Sequence, residues 1–158
     1  MSVLRQFCSF FVAGQQFGIE VERVQEIIRY QATTRVPLAP HAVSGLINLR
    51  GQIVPVVDLR ACLGLPALRA ELLPTNVVLR TDEGSVSLSV DEIGDVLEVS
   101  DTDFEGTPEN LHGVTRELLR GVYKLRDGLL LVLGVESAIE HATRPNDETK
   151  GRTHVGQS

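Results

Sequence analysis

A chain of 158 residues with 42% apolar and 23% charged side chains can bury its own core and is composed like a globular protein rather than a disordered one. A formal net charge of −6 and 4% aromatic residues, with no Trp, run against nucleic-acid binding, which needs clustered Lys and Arg with stacking rings. Two cysteines, Cys8 and Cys62, build neither a disulfide framework nor a Cys-rich metal site and suit the cytoplasm; no run approaches the roughly 18 apolar residues of a membrane span, so no direct membrane insertion is expected.

Met1 to Ala13 carries Arg5 followed by Phe7, Phe10, Phe11 and Val12, the outline of a signal peptide. Cys8-Ser9 breaks its apolar run and no cleavage site follows, so a first strand over Gln6 to Ala13 is expected instead. Gly14-Gln15-Gln16 makes a tight connection to Phe17–Ile19. Val21 to Val24 fits one helical turn before Gln25 to Tyr30 resumes as extended chain. Thr33 to Pro40, with two prolines, reads as a loop.

Ser44 to Arg50 and Ile53 to Val57 flank Gly51-Gln52, a hairpin signal. Pro55 has no ladder N–H, so its strand is expected at a sheet edge or with that position unpaired. Asp58 as N-cap, Leu59 to Leu63, Gly64 at C′ and Pro66 beyond supply the start and stop chemistry of a short helix. A loop over Ala67 to Pro74 follows. Asn76 to Arg80 and Ser85 to Val90 form a further pair across Thr81-Asp82-Glu83-Gly84. In the second run Ser85, Ser87 and Ser89 alternate with Val86, Leu88 and Val90, the pattern of a strand with one wet face.

Val96 to Val99 is another short run, and Asp101 to His112 a polar loop. Leu118 to Leu125 and Leu129 to Leu133 join across Arg126-Asp127-Gly128. Ser137-Ala138-Ile139-Glu140 fits a capping box opening a terminal helical turn. From Thr143 the chain turns polar, so residues 143–158 are expected to be a disordered tail and 1–142 the folded unit. About ten strands exceed what one small barrel needs, and two five-stranded units are the economical packing. The expected fold class is therefore mainly β, with few short helices.

No catalytic constellation emerges. His41, His112, His141 and His154 are scattered, with no motif around a Ser or Cys nucleophile, and no Gly-rich phosphate loop is present. Asp101-Thr102-Asp103-Phe104-Glu105-Gly106 begins like a calcium loop, but His112 stands at the twelfth position, where a bidentate Glu is required. The expectation is no enzyme, no cofactor and no metal, against a competing reading as a small hydrolase or ligand-binding barrel.

Four segments carry a family resemblance. Phe17-Gly18-Ile19-Glu20 with Val24-Gln25-Glu26-Ile27-Ile28 is similar to the opening strand-turn-strand of the CheW family, and Val43 to Arg60, VSGLINLRGQIVPVVDLR, to its signature. Val90 to Val96 resembles its "VD-x-V-x-x-V" segment, and Gly121-Val122 with Asp127 to Leu133 its closing hairpin. The resemblance implies two intertwined five-stranded SH3-like β-barrels with strand exchange. It implies a non-catalytic adaptor that couples the cytoplasmic tips of methyl-accepting chemotaxis receptors to a CheA-type histidine kinase, recruited from the cytoplasm to membrane receptor arrays. A scaffold in a pathway controlling pili, gliding or second messengers is the alternative.

By residue match, the resemblance assigns receptor binding to Val24, Glu26 and Arg50, with Gly45 and Asn48 lining the same region. Receptor tips are helical hairpins, so a binder must offer an apolar groove and a few orienting charges. Val24, Ile47 and Val54 are the expected groove, and Glu26 and Arg50 the charges. Gly45 and Gly51 answer to backbone geometry, and Asp58 to helix capping.

Overall fold

The computed structural model describes residues 2–145; most of the expected tail, residues 146–158, lies outside the described residues. Among the described residues, ten strands and three short helices run in the order β1 (Leu4–Val12), β2 (Gln15–Glu20), β3 (Val24–Ile28), β4 (Val43–Leu49), β5 (Gln52–Asp58), α1 (Leu59–Cys62), β6 (Thr75–Thr81), β7 (Gly84–Val90), β8 (Glu92–Ser100), α2 (Gly113–Leu118), β9 (Leu119–Leu125), β10 (Gly128–Leu133) and α3 (Val135–Ala142). Short 3-10 turns occupy Val21–Arg23 and Asp101–Asp103. No helix among the described residues is long and apolar enough to cross a membrane.

The strands make two five-stranded sheets, ordered β8-β1-β2-β10-β9 and β3-β6-β7-β5-β4. Each sheet has one parallel contact, β2 with β10 and β5 with β7, between two antiparallel hairpins. The strand after the first hairpin of each sheet leaves for the other: β3 follows β1–β2 but pairs with β6, and β8 follows β6–β7 but pairs with β1. Both sheets then curl until their edges meet. Thr34, beyond β3, exchanges backbone hydrogen bonds of 2.8 and 2.9 Å with Leu46 on β4, and Phe104, beyond β8, bridges Tyr123 on β9.

The second half repeats the first in detail. The hairpin β9–β10 matches β4–β5 at a constant spacing of 76 residues: Gly45 and Gly121, Leu49 and Leu125, Arg50 and Arg126, Val56 and Val132. The register slips at the same place in both, between Val43 and Gly45 and between Leu119 and Gly121. The fully buried Val54 corresponds to the fully buried Leu130, and each hairpin ends in a helix.

Packing follows the same logic. One cluster, Ile47, Leu49, Val54, Val56 and Val78, lies within the second sheet, and another, Phe7, Val99, Tyr123, Leu130 and Val132, within the first. A larger shared core joins them, drawing Phe10 and Phe17 from one sheet, Val57 and Leu88 from the other, and Leu59, Leu118 and Ala138 from the helices.

Several local expectations change. The β4–β5 turn is Arg50-Gly51, one residue earlier than expected, with φ of 52° and 85°, the doubly positive conformation of tight hairpin turns. The strand holding Pro55 is interior, not an edge. Leu46 spends both its backbone groups on Thr34, so opposite Pro55 no hydrogen bond is exchanged, and the parallel pairing to β7 begins only at Val56. Proline is thereby tolerated at the unpaired position.

Ser87 does not face water; it is fully buried and its hydroxyl donates to Asn76 Oδ1 at 3.0 Å, because β7 lies at the centre of its sheet and is covered on both faces. Ser137 is no N-cap. Gly134 occupies that position, its carbonyl accepting from Ala138 N at 2.9 Å, because burying Val135, Ala138 and Ala142 on one helical face sets an earlier start. Residues 113–117, to which the sequence pattern assigns no element, form α2 together with Leu118, which was expected to open a strand. The cap at Asp58 stands as read: its carboxylate accepts from Arg60 N at 3.0 Å, while Gly64, at φ 72°, and Leu65 return their N–H groups to Ala61 and Arg60, the hydrogen-bond pattern of a Schellman stop.

Candidate functional site

The tip of the β4–β5 hairpin and the edge strand β3 build one charged corner. Asn48 Oδ1 accepts from Gly51 N at 2.9 Å, closing the turn and holding Arg50 in its left-handed conformation. From there the Arg50 guanidinium projects outward and forms an ion pair with Glu26. Glu26, on β3, stands opposite Val78 on β6, so it lies over the mouth of the Ile47, Val54 and Val78 cluster. The hydrogen bond from Arg50 holds the Glu26 carboxyl below the usual carboxylate range and raises the Arg50 guanidinium in turn. The pair connects opposite edges of one sheet, which only its curl brings together.

Gly45 has a different task. With φ at 154°, it packs under the Thr34 strap, and a Cβ there would overlap the Thr34 carbonyl oxygen. The glycine therefore permits the edge closure that sets Glu26 against Arg50. Val24 is half-buried against the shared core, and its carbonyl accepts from Arg80 at 2.9 Å. Ile47 and Val54 are core residues and offer no groove to a partner; they support the hairpin from within. The exposed apolar side chain on this hairpin is Ile53, opposite Asn48 in register, which the sequence reading passed over. Its signal was present: alternation from buried Val54 places residue 53 outward.

A second feature links the exchanged strands to the helices. Arg60 of α1 grips Asp91, at the β7–β8 crossover, through two hydrogen bonds of 2.8 and 2.7 Å, and Asp91 also accepts from Ala13 N at 2.8 Å. The Arg60 hydrogen bond keeps the Asp91 carboxyl below its ordinary range. At the corresponding crossover, β2 to β3, Arg23 binds the Arg80 carbonyl and pairs with Glu136 of α3. The two clamps hold equivalent places with their charges reversed.

Catalytic chemistry has little to work with. No group of three or more His, Cys, Asp or Glu among the described residues could hold a metal ion. Burial pushes the Cys62 thiol up to about 12, which leaves it protonated and inert as a nucleophile.

Comparison with known proteins agrees with that reading. The family model described as "CheW-like domain" matches residues 6–143. The chain is 32% identical over 140 residues to "Chemotaxis protein CheW" of Rhizobium meliloti (strain 1021), covering 89% of this chain and 90% of that protein. It is 30% identical over 131 residues to the protein of the same name from Bacillus subtilis (strain 168), covering 83% and 84%. Its fold matches the crystal structure of the scaffolding protein TtCheW from Thermoanaerobacter tengcongensis with a TM-score of 0.79, at 21% identity over 90% of this chain and 97% of that one.

Proposed function

The chain belongs to the CheW-like domain family of chemotaxis scaffold proteins, which are not enzymes, and from that premise we propose that it couples methyl-accepting chemotaxis receptors to a CheA-type histidine kinase. It works in the cytoplasm, recruited to receptor arrays at the membrane. The observation that carries the reading is the Glu26–Arg50 pair, held on one corner by the Asn48 turn and the Gly45 closure. A receptor tip is a helical hairpin; a rigid guanidinium fork beside a carboxylate and the exposed Ile53 gives it register and orientation more than raw affinity.

Of the residues assigned to receptor binding, Arg50, Glu26 and Asn48 form the contact corner. Val24, Gly45, Ile47 and Val54 support it from beneath. Capture of a receptor signalling tip and of a CheA-type kinase by the purified chain tests the proposal. Arg50→Glu is expected to abolish receptor capture while leaving the fold and kinase capture intact. Failure of the unaltered chain to bind either partner would overturn the adaptor reading, and unchanged receptor affinity in the variant would remove this corner from it.

A further inference from the structure

Tyr123 is 6% exposed, yet its hydroxyl makes no hydrogen bond among the described residues. A phenol that deep ordinarily finds a partner, because an unmet polar group away from water costs stability. The fold does not ask for the hydroxyl: at the 76-residue spacing its counterpart is Ile47, which sits in a wholly aliphatic cluster. Tyr123 instead lines a cavity of about 300 Å³ in the mouth of the curled first sheet, a volume at the lower end of small-molecule sites.

Three rings surround that space. Phe7 lies 5.5 Å from Tyr123, ring centre to ring centre, and Phe104 meets Tyr123 edge-on at 5.1 Å. Gly121 beneath Phe104 has no Cβ to hold the ring off, and Phe104 is 47% exposed, so one wall of the cavity is free to swing.

The rim is charged, and strand register sets its order. Phe7 stands opposite Leu97 and Arg5 opposite Val99, on the inner face of the sheet; Asp101 N donates to the Val3 carbonyl at 2.9 Å and extends that face by one step. Arg5 and Asp101 are therefore diagonal neighbours above the apolar floor, close enough for one small molecule to bridge. Neither side chain has a partner among the described residues, whereas Glu20 and Arg120 beside them are paired with each other at 3.4 Å.

A guanidinium and a carboxylate above an aromatic box that holds an unused hydroxyl match one chemistry. A free α-amino acid carries its ammonium and carboxylate on a single carbon, so Asp101 and Arg5 can take both charges while the side chain enters the box. An aromatic side chain suits the three rings, and an indole N–H supplies a donor to the Tyr123 oxygen. We infer that this cavity binds a free aromatic α-amino acid, tryptophan in preference to phenylalanine. The inference does not depend on the receptor-coupling role.

Titration of the isotopically labelled full chain with L-tryptophan, followed by amide NMR shifts, tests it. Saturable shifts should gather around Phe7, Phe104 and Tyr123. Tryptamine, which lacks the carboxylate, and indole-3-propionate, which lacks the ammonium, should each bind about tenfold more weakly. Asp101→Asn should erase the advantage of tryptophan over indole-3-propionate, and Arg5→Gln its advantage over tryptamine. Tyr123→Phe should leave the fold unchanged and bind tryptophan and phenylalanine alike. Shifts that scatter over the surface or fail to saturate by millimolar ligand, or preferences that survive all three substitutions, would each overturn the inference.

Discussion

The hairpins β4–β5 and β9–β10 share spacing, register slip and buried positions, yet they are finished in opposite ways. In the first, Gly45 lies under a strap of main chain at Thr34; in the second, Gly121 lies under the ring of Phe104. Arg50 at the first tip is paired with Glu26, whereas Arg126 at the second has no carboxylate partner among the described residues. Asp58 caps the helix after the first; Gly134 stands at that place after the second. A common scaffold thus carries a rigid charged corner on one side and a glycine covered by an aromatic ring on the other. The difference resides in a few side chains and not in the strands.

Breaking the closures should separate the halves most strongly. Gly45→Ala sets a Cβ against a backbone carbonyl at positive φ, where neither side can yield, and is expected to cost roughly 2–4 kcal/mol. Gly121→Ala meets only an exposed ring that can swing aside and should cost about 1 kcal/mol. Urea denaturation of both variants checks this; equal losses would show that the two closures are alike.

The crossover clamps come next. Arg60 and Asp91 are only 18% and 15% exposed, whereas Glu136 in the corresponding clamp is 70% exposed. Asp91→Asn should therefore lower stability by about 2 kcal/mol, and Glu136→Gln by less than about 0.5 kcal/mol. Because the folded chain holds the Asp91 carboxyl below its ordinary range, the pair's contribution is present above the ordinary carboxylate range. It is lost as pH falls through the lowered value. Stability measured against pH should show that acid-side loss in the unaltered chain and a flatter acid limb in Asp91→Asn.

The smallest effect concerns the caps. Asp58→Ala removes a carboxylate that accepts two backbone N–H groups and should cost about 1 kcal/mol. Gly134→Asp, placed where the backbone is already extended, should add a few tenths of a kcal/mol, with the flexible Arg120 side chain moving to admit it. Thermal melts of the two variants, shifting in opposite directions, would establish that the helices differ in capping and little else.

Much was determined by the sequence alone. The runs of strand, most of the turn regions and the Asp58–Gly64 helix follow from short-range chemistry, since alternation, glycine placement and capping act within a few residues, while the family resemblance rests on the match of four segments. The charged pair Glu26 and Arg50 was legible too. Tertiary structure alone decided which face of each strand meets water. Period-two alternation marks two faces without saying whether one or both are covered, so Ser87, Ile47 and Val54 were assigned to surfaces they do not have. It also decided the exchange of β3 and β8 and the curl that sets Glu26 against Arg50. Those depend on pairing between strands far apart in the chain, and no local pattern specifies which distant edge a strand will join.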